Sequence, residues 1–190
     1  MVKTDIKAQL RLIETGLSEA KGIMEPLVRE SLISTDNLLS RVLLVTLTLG
    51  SIKTDKKTIS ACQSLEILDQ ALRLGETRPA NSDERDKNLL IGDYLFAQAI
   101  NQVTSINEPV IIDCLAKAIS GSAEDRVSGT QRHYRYHLFG AALDIALHLG
   151  DFTEKHKTAI RAAKTRSLET FPDAPEEEYL RETINPGAVE

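Results

Sequence analysis

Apolar residues recur along the chain at intervals of three and four, which is the spacing of a helix with one buried face. The first such segment opens at Thr4 or Asp5 and aligns Ile6, Leu10, Ile13 and Leu17. Capping residues, first-turn prolines and terminal glycines divide the rest of the chain into further segments. These are predicted helices at Pro26 to Ile33, Asp36 or Asn37 to Gly50, Thr54 or Asp55 to Gly75, Lys87 to Val103, Asn107 to Gly121, through Leu138 to Gly150, from Thr153 onward, and from Asp173 to Asn185.

One run is ambiguous by its pattern alone. Val42 to Leu49 is apolar nearly all round, so it fits either a buried helix or a buried strand, and its helical neighbours favour the helix. Two polar stretches, Gly75 to Asp86 and Ser122 to Thr130, are predicted to be loops. No fixed-period repeat and no Pro- or Gly-rich linker divides the chain. The expected fold is therefore all-α, with a single bundle of about nine helices in one domain over residues 1–190.

Composition narrows the class of protein further. The chain of 190 residues is 42% hydrophobic but only 4% aromatic, and it has no Trp, so its core must be aliphatic. The net charge of −5 argues against a nucleic-acid partner. No stretch has the length and apolar character of a membrane span, and the start of the chain, Met1 to Arg11, is too polar for a signal peptide. We therefore expect a cytoplasmic protein without a membrane span.

Side chains that could carry chemistry are few. Cys62 and Cys114 lack CxxC spacing and lie in apolar runs, so we expect buried small hydrophobes in a reducing compartment. The phosphate-binding, zinc-protease and serine-hydrolase motifs are absent from the sequence. His133 and His137 are four apart, a spacing that can chelate a metal on one helix face. Because no third ligand is placed beside them, the favoured interpretation is solvated or core-edge histidines.

Two charged stretches have both a functional and a structural interpretation. Residues 131–137 are basic and aromatic, which could indicate phosphate or nucleic-acid binding, but the start of a helix is favoured. Residues 81–86 are acidic and could hold Mg²⁺ if their carboxylates shared one helix face. Since Arg85 interrupts them, a solvated loop with a helix N-cap is the favoured interpretation.

Two consecutive segments resemble a known protein family. SACQSLEILDQALRLGE, from Ser60, and DKNLLIGDYLFAQAI after it are similar to the trans-polyprenyl diphosphate synthase family. Glu66 matches a family Glu, and residues 90–95 match the family helix that begins near G-D-x-L-x-A. Residues 138–150 resemble the later helix that begins K-T-x-x-L-F, and residues 167–180 resemble the C-terminal L-x-x-L-P-D-S segment. The resemblance, from about residue 25 onward, implies a truncated isoprenoid-synthase-like fold.

The departures from that family concern its catalytic motifs. Active members hold Mg²⁺ with two D-D-x-x-D clusters, and the Mg²⁺ ions neutralise the allylic diphosphate. The first cluster corresponds here to residues 76–80, where Glu76 is the only acid, Arg78 adds positive charge and Pro79 would disturb the helix. The second cluster has no counterpart. The vestigial first-motif region comprises Glu76, Arg78, Asp83 and Arg85.

The resemblance therefore implies a chain without catalytic or metal-binding residues of its own. It is similar to the small component of heteromeric heptaprenyl or hexaprenyl diphosphate synthases, which implies a role in making the isoprenoid side chain of a quinone such as menaquinone. Mg²⁺ would be bound by the catalytic partner, and this chain would need no cofactor. The partner would be that synthase chain, a second copy of this chain, or both. The expected interface residues are Tyr94, Phe96, Gln98 and Asn101.

Two other interpretations remain open from the sequence. The chain could retain weak prenyl transfer with Glu76, Asp83 and Asp86 in place of the lost cluster. Alternatively, it could be a helical interaction protein that kept the synthase-like fold without a role in isoprenoid metabolism. A neighbouring gene for a chain with both aspartate clusters would favour the subunit over the interaction protein.

Overall fold

The computed structural model describes residues 6–23, 37–50, 55–105, 107–130 and 134–170. Every regular element in these ranges is a helix, which confirms the all-α class for this part of the chain. The helices are α1 (Ile6–Ile23), α2 (Leu38–Leu47), α3 (Lys56–Glu76), α4 (Ser82–Thr104), α5 (Pro109–Ser128), α6 (Tyr136–Leu149) and α7 (Glu154–Thr170). The predicted helices at Pro26 to Ile33 and Asp173 to Asn185 lie outside the described residues, so the count of nine is not confirmed.

Helix α3 occupies the centre of the bundle. Every residue from Ser60 to Leu72 is buried, including the polar ones. Helices α1, α2, α4 and α6 pack around it, and its contact with α4 is the most extensive. Helices α5 and α6 form a second closely packed pair, and α6 also contacts α2 and α7. Helix α4 therefore packs chiefly on α3, and more lightly on α5.

The ambiguous apolar run belongs to α2 and is helical, as its neighbours indicated. Most of its side chains are buried, which explains why no polar face marks its period. Asn37 precedes α2 with φ 51°, a left-handed conformation that Asn tolerates better than most residues. It forms no side-chain capping bond. Its Nδ2 instead donates to Glu14 Oε1 at 2.9 Å and so ties α2 to α1.

Several predicted helix starts are confirmed by their hydrogen bonds. Asp55 caps α3, because its Oδ1 accepts from the backbone N–H of Thr58 at 3.0 Å. Thr153 Oγ1 accepts from the backbone N–H of His156 at 3.3 Å at the start of α7. Pro109 occupies the first turn of α5, where its missing N–H costs nothing. The predicted cap Asn107 is wrong by one position, since Glu108 is the N-cap of α5 and makes no side-chain capping bond.

Both stretches predicted to be loops are largely helical. Residues 122–128 continue α5 to Gly129, whose φ of 73° ends the helix. Gly121, predicted to end α5, lies inside it, and the His137 ring packs against it. A Cβ at Gly121 would lie 2.5 Å from His137 Cε1. The first stretch is a loop only over residues 77–81, because α4 begins at Ser82.

The core is aliphatic, as the composition indicated. Leu, Ile, Val and Ala dominate the buried side chains of the described residues, with Phe139 and Phe152 as buried aromatics. None of the described helices has the length and apolar character needed to cross a bilayer.

Candidate functional site

The vestigial first-motif region lies where α3 ends and α4 begins. Glu76 is the last residue of α3, and its Oε1 accepts from Arg126 Nε at 3.2 Å and Nη2 at 3.0 Å. Arg126 Nη2 also donates to the carbonyl oxygen of Leu72 at 3.3 Å. The guanidinium packs so closely that a Cβ at Gly75 would lie 2.6 Å from Arg126 Nη2. Glu76 is thus paired with a cation from α5.

The other acids of this region serve the start of α4. Asn81 caps the helix by accepting from the backbone N–H of Glu84 at 2.9 Å. Glu84 Oε2 in turn accepts from the backbone N–H of Ala80 at 2.6 Å. This reciprocal pair resembles a capping box displaced by one residue, and carboxylates in a first turn also favour the helix dipole. The N-cap predicted for this stretch is therefore confirmed.

The remaining charged side chains of the region are exposed. Arg85 Nε donates to Asp86 Oδ1 at 3.1 Å, and both side chains are about two-thirds exposed, at 68% and 65%. Asp83 and Arg78 also lie at the surface. Across the described ranges, no three His, Cys, Asp or Glu side chains are grouped so that they could hold a metal ion. The carboxylates of the region therefore act in separate local contacts.

Helix α4 has one buried and one exposed side. Ile91, Leu95, Ala99 and Val103 are buried against the bundle. On the opposite side, Leu89 is 63% exposed and Leu90 is 70% exposed. Two adjacent, largely exposed leucines on a helix at the edge of a bundle make this side a candidate contact surface for another molecule.

We define the outer face of α4 as five exposed residues that lie on one side of the helix. Their spacing of three and four positions aligns them. They are Asp86, Leu89, Leu90, Asp93 and Ala97. The face therefore consists of an apolar centre with a carboxylate three residues before it and another three residues after it.

The four predicted interface residues all lie on α4. Three of them are on its flanks, whereas Asn101, four positions after Ala97, lies in line with the outer face. Gln98 Nε2 donates to the phenol oxygen of Tyr94 at 3.1 Å, and both side chains are half-buried. Phe96 is partly buried and packs against the core on the other flank, while Asn101 is exposed. Since three of the four already take part in packing within the chain, they border the outer face rather than form its centre.

The sequence did not point to the buried ion pair between α3 and the start of α6. Arg135 Nε and Nη2 donate to Asp69 Oδ1 and Oδ2 at 2.7 and 2.8 Å, a bidentate arrangement. The side chains are 4% and 0% exposed. Arg73 lies beside the pair, with Nη2 4.0 Å from Asp69 Oδ2 and Nε donating to the Tyr134 phenol at 3.1 Å. Burial raises the pKa of that phenol, and the Asp69 carboxylate raises it further.

This ion pair bears on the basic, aromatic stretch at residues 131–137. Arg135 points into the bundle, and its guanidinium lies 5.5 Å from the centre of the Tyr134 ring. Residues 131–133, including His133 of the His133–His137 spacing, lie outside the described residues. His137 Nε2 contacts Asp125 Oδ2 at 2.8 Å. The described part of the stretch, residues 134–137, forms the start of α6, as favoured from the sequence.

Helix α3 carries further buried polar groups. Glu66 accepts from the backbone N–H of Ser40 through Oε1 at 2.8 Å and so ties α3 to α2. Cys62 is buried as predicted, and burial followed by the nearby Glu66 carboxylate raises the pKa of its thiol. Cys114 is only half-buried, and burial is again the main cause that raises its pKa. Raised pKa values make both thiols poor nucleophiles.

A second charged contact joins the N-termini of α3 and α5 to the C-terminus of α6. Glu108, at the N-terminus of α5, is bonded to Lys57 on α3 and contacts His148 Nε2 of α6 at 3.2 Å. The hydrogen bond from Lys57, and then that from His148, lower the pKa of Glu108. With His137 and Asp125 at the opposite end, the α5–α6 pair is joined by a histidine–carboxylate contact at each end.

The chain was also compared with known proteins. No family model, no curated protein and no solved structure matched it.

Proposed function

We propose that the chain is a non-catalytic small subunit of a heteromeric polyprenyl diphosphate synthase of the heptaprenyl or hexaprenyl type. It supports the catalytic chain and helps to set product length in isoprenoid and quinone side-chain biosynthesis. The proposal rests on the similarity of residues 60–76 and 90–95 to that family. It also rests on the outer face of α4, which includes Leu90 and Asp93 of the second segment.

The exposed leucine pair carries the proposal. Leu89 and Leu90 are 63% and 70% exposed, and Leu90 is the first of residues 90–95, which resemble the family's G-D-x-L helix. Burying leucine side chains stabilises a contact by about 1.5–3 kcal/mol each. Covering these two side chains would therefore contribute much of the free energy with which a partner binds this face.

The arrangement of carboxylates supports a subunit without its own turnover. Ionisation of an allylic diphosphate needs several cations held together where negative charge develops. Glu76 is paired with Arg126, and Asp86 with Arg85, so two of the three acids considered for weak activity already have cationic partners. In the proposed complex, Mg²⁺ and the diphosphates are bound by the catalytic chain.

Co-purification tests the proposal directly. The tagged chain is co-expressed with a synthase from the same genome that carries both D-D-x-x-D clusters, and the complex is isolated by size-exclusion chromatography. We expect co-elution, and chain elongation from allylic and isopentenyl diphosphate by the complex but not by this chain alone. Leu90→Asp should abolish co-elution because it places a charge at the centre of the contact.

The controls separate a lost contact from a lost fold. Leu12→Asp changes a leucine of similar exposure, 58%, on α1 and should leave co-elution unchanged. Far-UV circular dichroism checks that both variants remain helical. If no aspartate-rich synthase co-elutes with the wild-type chain, the subunit proposal is wrong and the helical interaction protein replaces it. Elongation by the chain alone that is lost in Glu76→Ala would instead indicate residual catalysis.

A further inference from the structure

The charges of the outer face restrict what can bind there. Asp86 and Asp93 lie three residues before Leu89 and three residues after Leu90, so the carboxylates are placed symmetrically about the leucine pair. Asp86 is partly offset by Arg85 at 3.1 Å. Asp93 is exposed and forms no ion pair with any residue that the structure describes. A helix laid on the leucines therefore meets negative charge on both sides of the apolar centre.

This symmetry disfavours a two-fold pairing of the chain with itself on this face. In a two-fold dimer the same patch faces its own copy. If two α4 helices pair antiparallel about the leucines, Asp86 of each copy faces Asp93 of the other. If they pair in parallel, each aspartate faces its own counterpart. Both arrangements oppose like charges, which is unfavourable at the edge of a contact.

We propose that the outer face of α4 binds a different chain, through a helix whose apolar centre is flanked by Lys or Arg residues seven positions apart. Such a helix would cover Leu89 and Leu90 and place one cation near each aspartate. The inference rests on the proposed function in taking this face as the contact with the catalytic chain. It goes further by assigning the partner's charge pattern and by excluding a second copy from this face.

A charge-reversed copy of the chain provides the probe. Asp86→Lys/Asp93→Lys carries the same leucines with the required flanking cations, so antiparallel pairing with the wild-type chain joins each aspartate to a lysine. Sedimentation equilibrium measures the affinity of the wild-type chain, of the variant, and of their equimolar mixture. Each sample is also measured with Leu90→Asp, and the quantity compared is the loss of affinity that this substitution causes. Association through other surfaces does not depend on Leu90 and is thereby excluded.

We expect the mixture to associate at least about tenfold more tightly than either chain alone, and less tightly as salt is raised. Asp113→Lys is the matched control, because it reverses an exposed aspartate on α5, 57% exposed, and should not create the new affinity. If the wild-type chain alone associates through Leu90 as tightly as the mixture, or if the mixture shows no gain, the inference is wrong.

The same variant distinguishes this inference from the proposed function. In the co-purification experiment, Asp86→Lys/Asp93→Lys should weaken capture of the synthase by about tenfold or more, whereas Asp113→Lys should not. Capture that requires Leu90 but is unaffected by the charge reversal would keep the subunit proposal and overturn the charge pattern. If the wild-type chain captures no synthase but pairs with its charge-reversed copy, the subunit proposal fails and the charge pattern stands.

Discussion

Removing one member of the buried Asp69–Arg135 pair should be among the most destabilising changes in the chain. Arg135→Met deletes two charge-assisted hydrogen bonds, at 2.7 and 2.8 Å, from a carboxylate that is 0% exposed. Hydrogen bonds to charged groups contribute about 1.5–3 kcal/mol each, and breaking a buried ion pair costs about 3–5 kcal/mol. Since a domain is stable by only about 5–15 kcal/mol, this loss is a large fraction of the total.

Urea unfolding followed by far-UV circular dichroism measures the loss. With a denaturant slope of about 2 kcal/mol per molar, Arg135→Met should lower the midpoint by about 2 M. Asp69→Leu should also lower the midpoint, because it removes the carboxylate that Arg135 bonds at 2.7 and 2.8 Å and that Arg73 approaches at 4.0 Å. The double variant Asp69→Leu/Arg135→Met removes both charges and should recover at least about half of the single-variant loss.

Arg135→Lys keeps the experiment informative if Arg135→Met does not fold. It keeps the charge but loses the bidentate geometry, so we expect an intermediate loss of about 1–2 kcal/mol. If Arg135→Met folds well and loses less than about 1 kcal/mol of its free energy of unfolding, the reasoning is refuted, because a buried charge without its main partner should destabilise the fold by more than that. So would a double variant as unstable as the sum of the two single variants.

Two further predictions concern the α5–α6 pair. Gly121→Ala should lower the free energy of unfolding by about 0.5–2 kcal/mol in urea titrations, because overpacking against the His137 ring at 2.5 Å outweighs the gain of about 0.5–1 kcal/mol from replacing a glycine inside a helix. A stabilising effect would contradict the packing. The pKa of Glu108 is lowered in the folded chain, first by Lys57, so its stabilising contribution is present above the unfolded pKa of about 4.3 and is lost as pH falls through the lower folded value. Urea midpoints measured between about pH 5 and pH 3 should therefore fall less steeply in Glu108→Gln than in the wild-type chain, and parallel curves would contradict this linkage.

Helix type and most helix starts could be predicted because they depend on neighbouring residues. Asp55 and Thr153 cap the helices that follow them by local hydrogen bonds, and such bonds need only a short-range pattern. The helical assignment of Val42 to Leu49 rested on its helical neighbours, and α2 bears this out as far as Leu47. Local chemistry was sufficient for these elements.

Helix ends were predicted less well because glycine has more than one use. Gly121 is predicted as a stop signal but lies within α5, under the His137 ring. Gly75 is one residue before the end of α3, so that end is predicted to within one residue, and it lies under the Arg126 guanidinium. Among the glycines that the structure describes, Gly129, with φ 73°, ends a helix through a left-handed conformation, and Gly150 is the C-cap of α6 as predicted. A sequence does not show whether a glycine is needed for a turn or for the close approach of a side chain from another helix.

The buried ion pair and the outer face depend on which helices become neighbours. Asp69 and Arg135 are 66 residues apart, so no local pattern joins them. Asp69 is one of several polar residues buried on α3, so its position in the sequence does not mark it as a member of an ion pair. Likewise, α4 is apolar on more than one side in the sequence, and only its packing on α3 shows that Leu89 and Leu90 remain outside.

The enclosure of α3 has a consequence for how this chain can vary. An ordinary amphipathic helix has a solvent side where substitutions are nearly neutral. Between Ser60 and Leu72, α3 has no such side, so thirteen consecutive positions lack the usual tolerant stripe. A saturation mutagenesis map should therefore be uniformly intolerant across this segment and periodic along α4. Natural or engineered diversity would accumulate on the peripheral helices while the sequence of the central one stays fixed.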